Sequence, residues 1–464
     1  MAPQPQAEPG SFRDPDSRVF RDGDDILRAI SPSGLEDWDL LAGTRFFAEM
    51  QNAGKVVRTE RIDGRAAAVG DFPAAAVLRH EPVPFVSYPY EWSFSMLRDA
   101  ALLQLELLQA ALSEDMILKD ASPYNVQWQG SRPLFIDVGS FERLRQGEPW
   151  AGYRQFCSLF LYPLMLQAYA GLDFQPWLRG SLEGIAPAEA RAVLRGRRLL
   201  RRGVTTHVAL HARLERREGD RDTRKELKRA GFRKELIEAN VSRLEKLVSR
   251  LAWGPSGTAW SDYGERTHYE AEELERKDRF VEEACASRSA KLVWDLGCND
   301  GRYSRIAAEH GGYVVSVDGD HATVDALYRD LKAAGDERIL PLVMDLADPS
   351  PARGWRGRER TRLEDRGKPD LVLCLALIHH LSIAANVPLA EVVDWLASLG
   401  GALVVEFADR GDPMVERLLT RKRDDAHLDY GSEQFERELA ARFEIVRREK
   451  LASGVRTLYE ARPR

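Results

Sequence analysis

A glycine-containing turn after an apolar run near residue 295 is the part of the sequence best suited to binding a small molecule. The segment reads VWDLGCNDG, with Asp295 just ahead of Gly297 and with Gly301 at its end. Glycines at such positions let the backbone bend sharply against a ligand, and a helix that begins there offers free N–H groups. The spacing differs from the G-x-G-x-x-G pattern that holds a pyrophosphate. Asp295 suits a cation instead, and its position fits the ammonium group of an amino-acid moiety.

Two further acids and a pair of histidines follow later apolar runs. Asp318 ends the run YVVSVD, Asp345 ends ILPLVMD, and His379 and His380 follow DLVLCLAL. A carboxylate at Asp318 can accept hydrogen bonds from both hydroxyls of a ribose, and one at Asp345 can accept from an adenine amino group. Because adjacent side chains point in different directions, we expect at most one of the histidines to be catalytic. Neither has partners at metal-ligand spacing, so no metal site is expected there.

These residues need a scaffold that gathers the ends of several strands. The short runs KLVWDL, YVVSVD, ILPLVMD, DLVLCLAL and ALVVEF are mostly unbroken apolar, as strands buried on both faces should be. Amphipathic helices fit between them, which predicts βαβ units and a parallel sheet of the α/β class. Ligands of such sheets lie beyond the carboxyl ends of the strands. The alternating runs FEIVRRE and VRTLYEAR are expected to close the sheet as an antiparallel pair.

From about residue 260 to residue 464, the ordered set of acids and glycines and the stretch ALIHHL resemble the class I S-adenosylmethionine-dependent methyltransferases. The resemblance implies a Rossmann-like sheet of seven strands in the order 3-2-1-4-5-7-6, with the last strand antiparallel. It implies a methyltransferase that uses S-adenosyl-L-methionine and acts on an acceptor that it does not identify. The cofactor-binding residues that it implies are Asp295, Gly297, Asn299, Gly301, Asp318, Asp345 and Leu346.

The first half carries a spacing that resembles the kinase-like phosphotransferases. Asp120 precedes Asn125 as in D-x-x-x-x-N, and Asp137 follows in the run FIDVG. In kinases such an asparagine and second acid hold magnesium, so Asn125 and Asp137 would be metal ligands only if this domain were an active kinase. The sequence departs from kinases at Leu118 and Lys119, and it shows no glycine-rich phosphate loop. The alternative is a small α+β domain in which these residues serve turns and internal hydrogen bonds.

A larger resemblance covers most of the chain. The stretches LKDASPYNVQ and LFIDVGSFE, together with the methyltransferase-like half, are similar to a group of bacterial two-part proteins that includes the host-specific nodulation type. The resemblance does not name the methyl acceptor.

Other segments leave alternatives open. Residues 191–234 hold 16 Lys and Arg against 5 Asp and Glu, a net charge of +11, which suggests an RNA-binding or RNA-modifying protein as an alternative to a charged surface helix. A non-catalytic scaffold that binds the cofactor is the third reading. An aromatic segment could either cover the cofactor or pack between the halves; its residues are Trp260, Tyr263, His268 and Tyr269.

Composition limits the classes of protein. The chain has 464 residues, of which 44% are hydrophobic and 30% charged, so several packed domains are expected. No uninterrupted apolar run is long enough to span a membrane. The four scattered cysteines and the lack of an apolar leader favour a cytoplasmic protein without disulfides. We predict a disordered tail over 1–17, an accessory or substrate domain over 18–252 and the methyltransferase domain over 253–464.

Overall fold

A computed structural model describes residues 5–62, 72–213, 233–254, 271–423 and 427–464. The chain forms two compact units. Unit 1 comprises Met1–Trp128, Pro133–Gly254 and Arg353–Arg360, and unit 2 comprises Gln129–Arg132, Pro255–Ala352 and Thr361–Arg464. Each unit therefore takes its main part from one half of the sequence and a short segment from the other half.

Unit 1 begins with an antiparallel sheet of five strands in the order β1-β2-β3-β5-β4. The hairpin between β2 and β3 turns at Gly23, whose φ of +61° suits glycine. The disordered tail that we predicted over 1–17 is wrong for residues 5–17, because the backbone of Gln6–Ala7 pairs with β2 and the Asp14 side chain accepts a hydrogen bond from Ser17. The strands are β1 (Gln6–Ala7), β2 (Ser17–Asp22), β3 (Asp25–Ile30), β4 (Thr59–Ile62) and β5 (Ala76–His80).

Helices and two short strand pairs complete unit 1. Helix α3 is mostly buried, with 14 of its 20 residues shielded from water, and β6 pairs with β9 while β7 pairs with β8. The strands are β6 (Met116–Leu118), β7 (Val126–Gln129), β8 (Arg132–Phe135) and β9 (Phe141–Arg143). The helices are α1 (Pro32–Ala42), α2 (Arg45–Asn52), α3 (Phe94–Ser113), α4 (Tyr153–Phe156), α5 (Tyr162–Ala170), α6 (Gln175–Gly180), α7 (Pro187–Val193) and α8 (Lys234–Val248).

Residues 353–360 belong to unit 1 because their side chains bind there. Glu359 forms an ion pair with Arg13 at 2.6 Å, and the guanidinium of Arg360 lies 4.1 Å from the ring centre of Tyr124. A cation over an aromatic face is a favourable contact. The segment therefore adds charged and cation–π contacts to unit 1.

Unit 2 is built on a sheet of seven strands in the order β12-β11-β10-β13-β14-β16-β15. The first five strands along the chain are parallel to one another, and β16 is antiparallel to both β14 and β15. The α/β class predicted from the apolar runs is confirmed. The strands are β10 (Leu292–Leu296), β11 (Tyr313–Asp318), β12 (Ile339–Val343), β13 (Leu371–Cys374), β14 (Ala402–Ala408), β15 (Phe443–Lys450) and β16 (Arg456–Pro463).

Amphipathic helices bury their apolar sides against this sheet, as crossover connections between parallel strands require. The core includes Phe280 and Val281 from the first helix and Leu327 and Leu331 from the third. No helix in the described part of the chain is long and apolar enough to cross a membrane. The helices of unit 2 are α9 (Ala271–Ala286), α10 (Arg302–Glu309), α11 (His321–Ala334), α12 (Leu389–Ser398), α13 (Pro413–Leu419) and α14 (Ser432–Arg442).

Candidate functional site at the carboxyl ends of the parallel strands

The glycine-containing turn connects β10 to α10 in a left-handed conformation. Gly297 and Gly301 have φ values of +80° and +78°, and Asn299 between them has a φ of +48°. The amides of Gly297 and Cys298 donate to the carbonyl oxygen of Val317 at 2.8 and 3.0 Å. Residues other than glycine rarely adopt positive φ values, so the sequence pattern and the backbone conformation agree at this turn.

Asp295 lies at the end of β10 and is 1% exposed. Its Oδ2 accepts a hydrogen bond of 2.6 Å from Ser304 Oγ, and Ser304 in turn accepts one of 2.8 Å from Ser316. Burial raises the pKa of Asp295 to about 6, and the hydrogen bond from Ser304 opposes that shift. Water is largely excluded from this carboxyl group. Once it ionises, it therefore interacts strongly with a cationic group of a ligand bound at the glycine-containing turn.

Asp318 at the end of β11 is joined directly to the turn. Its Oδ2 accepts a hydrogen bond of 3.0 Å from the backbone N–H of Asn299, and its Oδ1 accepts one of 2.9 Å from the N–H of Asp320. Burial raises the pKa of Asp318, while these backbone donors lower it. The structure thus brings together the predicted residues of the first two strand ends.

Asp345 and Leu346 follow β12, next to β11 in the sheet. The amide of Met344 donates to the carbonyl of Asp318 at 2.8 Å, so the two strand ends are neighbours. Asp345 is exposed and accepts a hydrogen bond of 2.9 Å from the N–H of Ala347, while Leu346 is half-buried. One carboxylate oxygen therefore serves a local turn, and the contact with adenine stays a prediction.

The loop after β13 brings His379 and His380 to the same edge of the sheet. A Cβ added to Gly297 would lie 3.4 Å from the side chain of Leu377 in this loop, so the loop lies against the glycine-containing turn. Ala376 has a φ of +52°, an unfavourable conformation for a residue with a Cβ. Such strain clusters at functional sites.

The two histidines differ in their surroundings. His379 is 0% exposed, and neither of its ring nitrogens has a hydrogen-bond partner among the described residues. Burial, followed by repulsion from His380, lowers the pKa of His379 far below its usual value. Burial also lowers the pKa of His380 to about 4. Both rings are thus neutral near pH 7, and His379 can accept a proton at a ring nitrogen that has no partner among the described residues.

A buried network of charges lies near these histidines and was not predicted. Lys277 on α9 and Arg456 on β16 both bind Glu406 of β14, at 2.6 and 3.1 Å. Arg456 also binds Asp412 at 2.6 Å. The four charged side chains are nearly excluded from water, with exposures from 0% to 4%. The sequence feature that could have predicted this network is Glu406 inside the apolar run ALVVEF, because a glutamate is rarely fully buried without a charged partner.

In unit 1 the kinase-like residues form an internal hydrogen-bond network. Asn125 donates to Ser140 Oγ at 3.2 Å, and Ser140 donates to Asp137 Oδ2 at 2.5 Å. The other oxygen of Asp137 lies 2.8 Å from the Arg28 guanidinium. Burial, with repulsion from Asp137, raises the pKa of Asp120. This arrangement matches the alternative of internal hydrogen bonds, and a metal at Asn125 and Asp137 stays a conditional prediction.

Some predicted features lie outside the described residues. These are the aromatic segment with Trp260, Tyr263, His268 and Tyr269, and the part of the basic stretch from 214 to 232. Within the described ranges no group of three or more His, Cys, Asp and Glu residues is placed to hold a metal ion.

The chain was compared with protein-family models, with known protein sequences and with solved structures. No protein-family model matches it. Two solved methyltransferase structures each match less than half of this chain. The N-methyltransferase NodS from Bradyrhizobium japonicum WM9 is 15% identical, with 42% of this chain and 99% of NodS covered and a TM-score of 0.31. The magnesium protoporphyrin IX methyltransferase ChlM from Synechocystis PCC 6803 is 18% identical, with 45% and 89% covered and a TM-score of 0.29.

A relative known by sequence matches over nearly the whole length. The nodulation protein NoeA from Rhizobium meliloti (strain 1021) is 34% identical over 463 residues, which cover 99% of this chain and 96% of that protein. The similarity therefore extends over both units. The chain belongs to the family of the nodulation protein NoeA.

Proposed function

We propose that unit 2 is an S-adenosyl-L-methionine-dependent methyltransferase. The observation that carries the proposal is the hydrogen bond from the backbone N–H of Asn299 to the Asp318 carboxylate. It joins the turn beside the buried acid Asp295 to the acid at the end of the next strand. A ligand that meets both needs a cationic end and hydroxyl groups further along, as the methionine and ribose parts of S-adenosylmethionine provide.

The chemistry of each residue suits one part of that cofactor. Asp295 binds the ammonium group as a carboxylate, and the positive φ angles of Gly297 and Gly301 let the backbone lie close to the ligand. Asp318 accepts hydrogen bonds from the ribose hydroxyls. Asp345 and Leu346 face the adenine, by a hydrogen bond to its amino group and by apolar contact.

Bound S-adenosylmethionine supplies an electrophilic methyl group. The work of this chain is then to align an acceptor nucleophile and to take up its proton. We assign the proton to His379, because neither of its ring nitrogens has a hydrogen-bond partner among the described residues. The adjacent ring of His380, 4.3 Å away between centres, holds His379 in position.

Calorimetric titration with S-adenosylmethionine tests cofactor binding. The variant Gly297→Arg should lose measurable binding, because its side chain starts 3.4 Å from Leu377 and fills the turn. Gly400→Arg is the matched control, since Gly400 has a similar φ of +79° but no atom within 4 Å of an added Cβ. If the wild-type protein binds no S-adenosylmethionine, or if the two variants lose binding equally, the proposal is wrong.

Turnover separates an enzyme from a cofactor-binding scaffold. Purified protein with labelled S-adenosylmethionine and a cell extract should yield S-adenosylhomocysteine and a labelled acceptor. A protein that binds the cofactor but forms neither product is a scaffold, and the enzymatic part of the proposal then fails while cofactor binding stands.

A further inference from the structure

The part of the basic stretch that the structure describes contains an exposed loop of arginines and leucines. We call residues 195–202, with the sequence RGRRLLRR, the Arg–Leu loop. Its central part is a single-turn 3-10 helix from Gly196 to Leu200. The side chain of Leu200 is 89% exposed, more than any other large hydrophobic residue described as exposed. An apolar side chain so open to water at the centre of a charged loop calls for an explanation.

The charge of this loop is not balanced by neighbouring acids. From residue 190 to residue 213 the sequence contains seven arginines and no Asp, Glu or Lys. Within the described residues, none of the five arginines of the loop forms an ion pair; the guanidinium of Arg198 contacts the carbonyl of Val193, and that of Arg201 lies 5.8 Å from the ring centre of Tyr169. With respect to the described residues, the five positive charges are therefore available to an anionic partner.

The loop is held in this exposed position by its backbone. Tyr169 Oη donates to the carbonyl of Arg202 at 3.1 Å, and Thr205 Oγ1 donates to the carbonyl of Leu199 at 2.9 Å. Gly203 has a φ of +79°, and a Cβ there would lie 2.6 Å from Leu247. Only glycine fits at that position, so the backbone conformation at the end of the Arg–Leu loop is fixed. The exposure of Leu200 is thus built into unit 1.

We propose that the Arg–Leu loop docks unit 1 onto the surface of an anionic lipid bilayer. Guanidinium groups bind phosphate through paired hydrogen bonds, and clustered basic residues are attracted to membranes that carry anionic lipids. An exposed leucine among them enters the boundary between headgroups and acyl chains, as apolar residues of interfacial segments do. The loop supplies both the charge and the apolar contact that such a surface requires.

RNA is the competing anionic partner and fits this loop less well. Proteins that bind single-stranded nucleic acid stack bases on aromatic side chains. Residues 190–213 contain no Phe, Tyr or Trp, and the ring of Tyr169 beside the loop is already in contact with Arg201. An exposed leucine contributes little to a phosphate backbone. The combination of arginine and leucine therefore favours lipid.

Vesicle flotation with the full chain tests the proposal and needs neither cofactor nor acceptor. The protein should float with phosphatidylcholine vesicles that contain one-third phosphatidylglycerol, and it should not float with pure phosphatidylcholine. The double variant Arg197→Gln/Arg198→Gln should bind about 30-fold more weakly, since each basic residue near an anionic surface contributes about 1 kcal/mol. Leu200→Ser should weaken binding about tenfold through lost apolar burial.

Two matched controls separate the loop from general charge and hydrophobicity. Arg45→Gln/Arg145→Gln removes the same charge from other exposed positions of unit 1, and Leu236→Ser removes a leucine that is 54% exposed on α8. Both controls should float like the wild type. The proposal is overturned if the wild type does not float, if the controls lose as much as the loop variants, or if the loop variants lose binding to total RNA while their flotation is unchanged.

Discussion

The Nζ atom of Lys277 lies 2.6 Å from Oε2 of Glu406, and the two side chains are only 4% and 0% exposed. Burial lowers the pKa of Lys277, and the contact with Glu406 raises it again. A charge so deeply buried is tolerated only when a partner neutralises it. The pair therefore ties helix α9 to strand β14 at the edge of the sheet where the proposed cofactor site lies.

Removal of one partner from this pair should be costly. Among the described residues, Lys277→Met leaves Glu406 paired with Arg456, and we expect the free energy of unfolding of unit 2 to fall by about 3–5 kcal/mol. Urea denaturation monitored by tryptophan fluorescence measures it. Arg276→Met on the same helix is the control, because Arg276 and Glu449 are about one-third exposed and should contribute about 1 kcal/mol or less. Equal losses in the two variants would show that the burial of the pair is unimportant.

Cofactor affinity should depend on pH through Asp295. Its pKa of about 6 means that the carboxyl is mostly neutral at pH 5, so affinity for S-adenosylmethionine should rise as the pH increases through 6 and then level off. The charges that act on Asp295 are Asp318, Asp300 and Lys277. Asp295→Asn should bind weakly and without this rise. Calorimetry across the range checks both.

Stability of the unliganded protein should respond to the same group with the opposite sign. A folded-state pKa above the unfolded value of about 3.9 means that the folded state binds the proton more tightly. The stabilising contribution of Asp295 is therefore complete below about pH 4 and is lost as the pH rises through 6. Unfolding curves of the wild type and of Asp295→Asn isolate this contribution. A cofactor affinity and a stability that change in parallel would argue against Asp295 as the titrating group.

His379 should affect turnover more than cofactor binding. His379→Gln keeps a polar side chain but removes the base, and we expect kcat to fall about 100-fold or more with little change in the dissociation constant of S-adenosylmethionine. His380→Gln should have a smaller effect because His380 positions the first ring. At saturating S-adenosylmethionine, acid that lowers kcat of the wild type but leaves kcat of His379→Gln unchanged would support the assignment. A loss of cofactor binding equal to the loss of kcat would contradict it.

Ala376 offers a test of backbone strain in the loop that covers the glycine-containing turn. Its φ of +52° is unfavourable by about 1 kcal/mol for alanine and by more for a β-branched residue. Ala376→Gly should leave the melting temperature equal or slightly higher, and Ala376→Val should lower it. Ala402→Gly in β14 should destabilise, because glycine weakens an extended strand. Calorimetric melting of the three variants distinguishes local strain from a general effect of glycine.

Much of unit 2 could be predicted from the sequence because local patterns determine it. Unbroken apolar runs give buried parallel strands, and Asp295, Gly297 and Asp318 follow those runs directly. The network around Glu406 could not be predicted in the same way, since Lys277 lies 129 residues from Glu406 along the chain. The two residues come together only when helix α9 packs against the folded sheet that contains β14. The burial of His379 likewise depends on the path of the loop after β13.

Unit 1 was harder to predict for a different reason. Its first hairpin carries a Gly23-Asp24 turn, a two-residue hairpin signal, which follows a Pro-rich start that resembles a disordered segment. The partner of Asp137 is Arg28, which belongs to that hairpin. Unless the hairpin is predicted, Arg28 cannot be identified as the ion-pair partner of Asp137. The kinase-like spacing is then the most noticeable feature of this part of the sequence.

The position of β16 between β14 and β15 has a consequence for how the protein is made. β16 is the last of the seven strands to emerge from the ribosome, yet it fills an inner place in the sheet. Until it arrives, β14 presents an open edge, and Glu406 and Asp412 wait for Arg456. Nascent unit 2 therefore has an unpaired β14 edge, a place where aggregation can start, while translation proceeds, and the sheet can close only after β16 has been made.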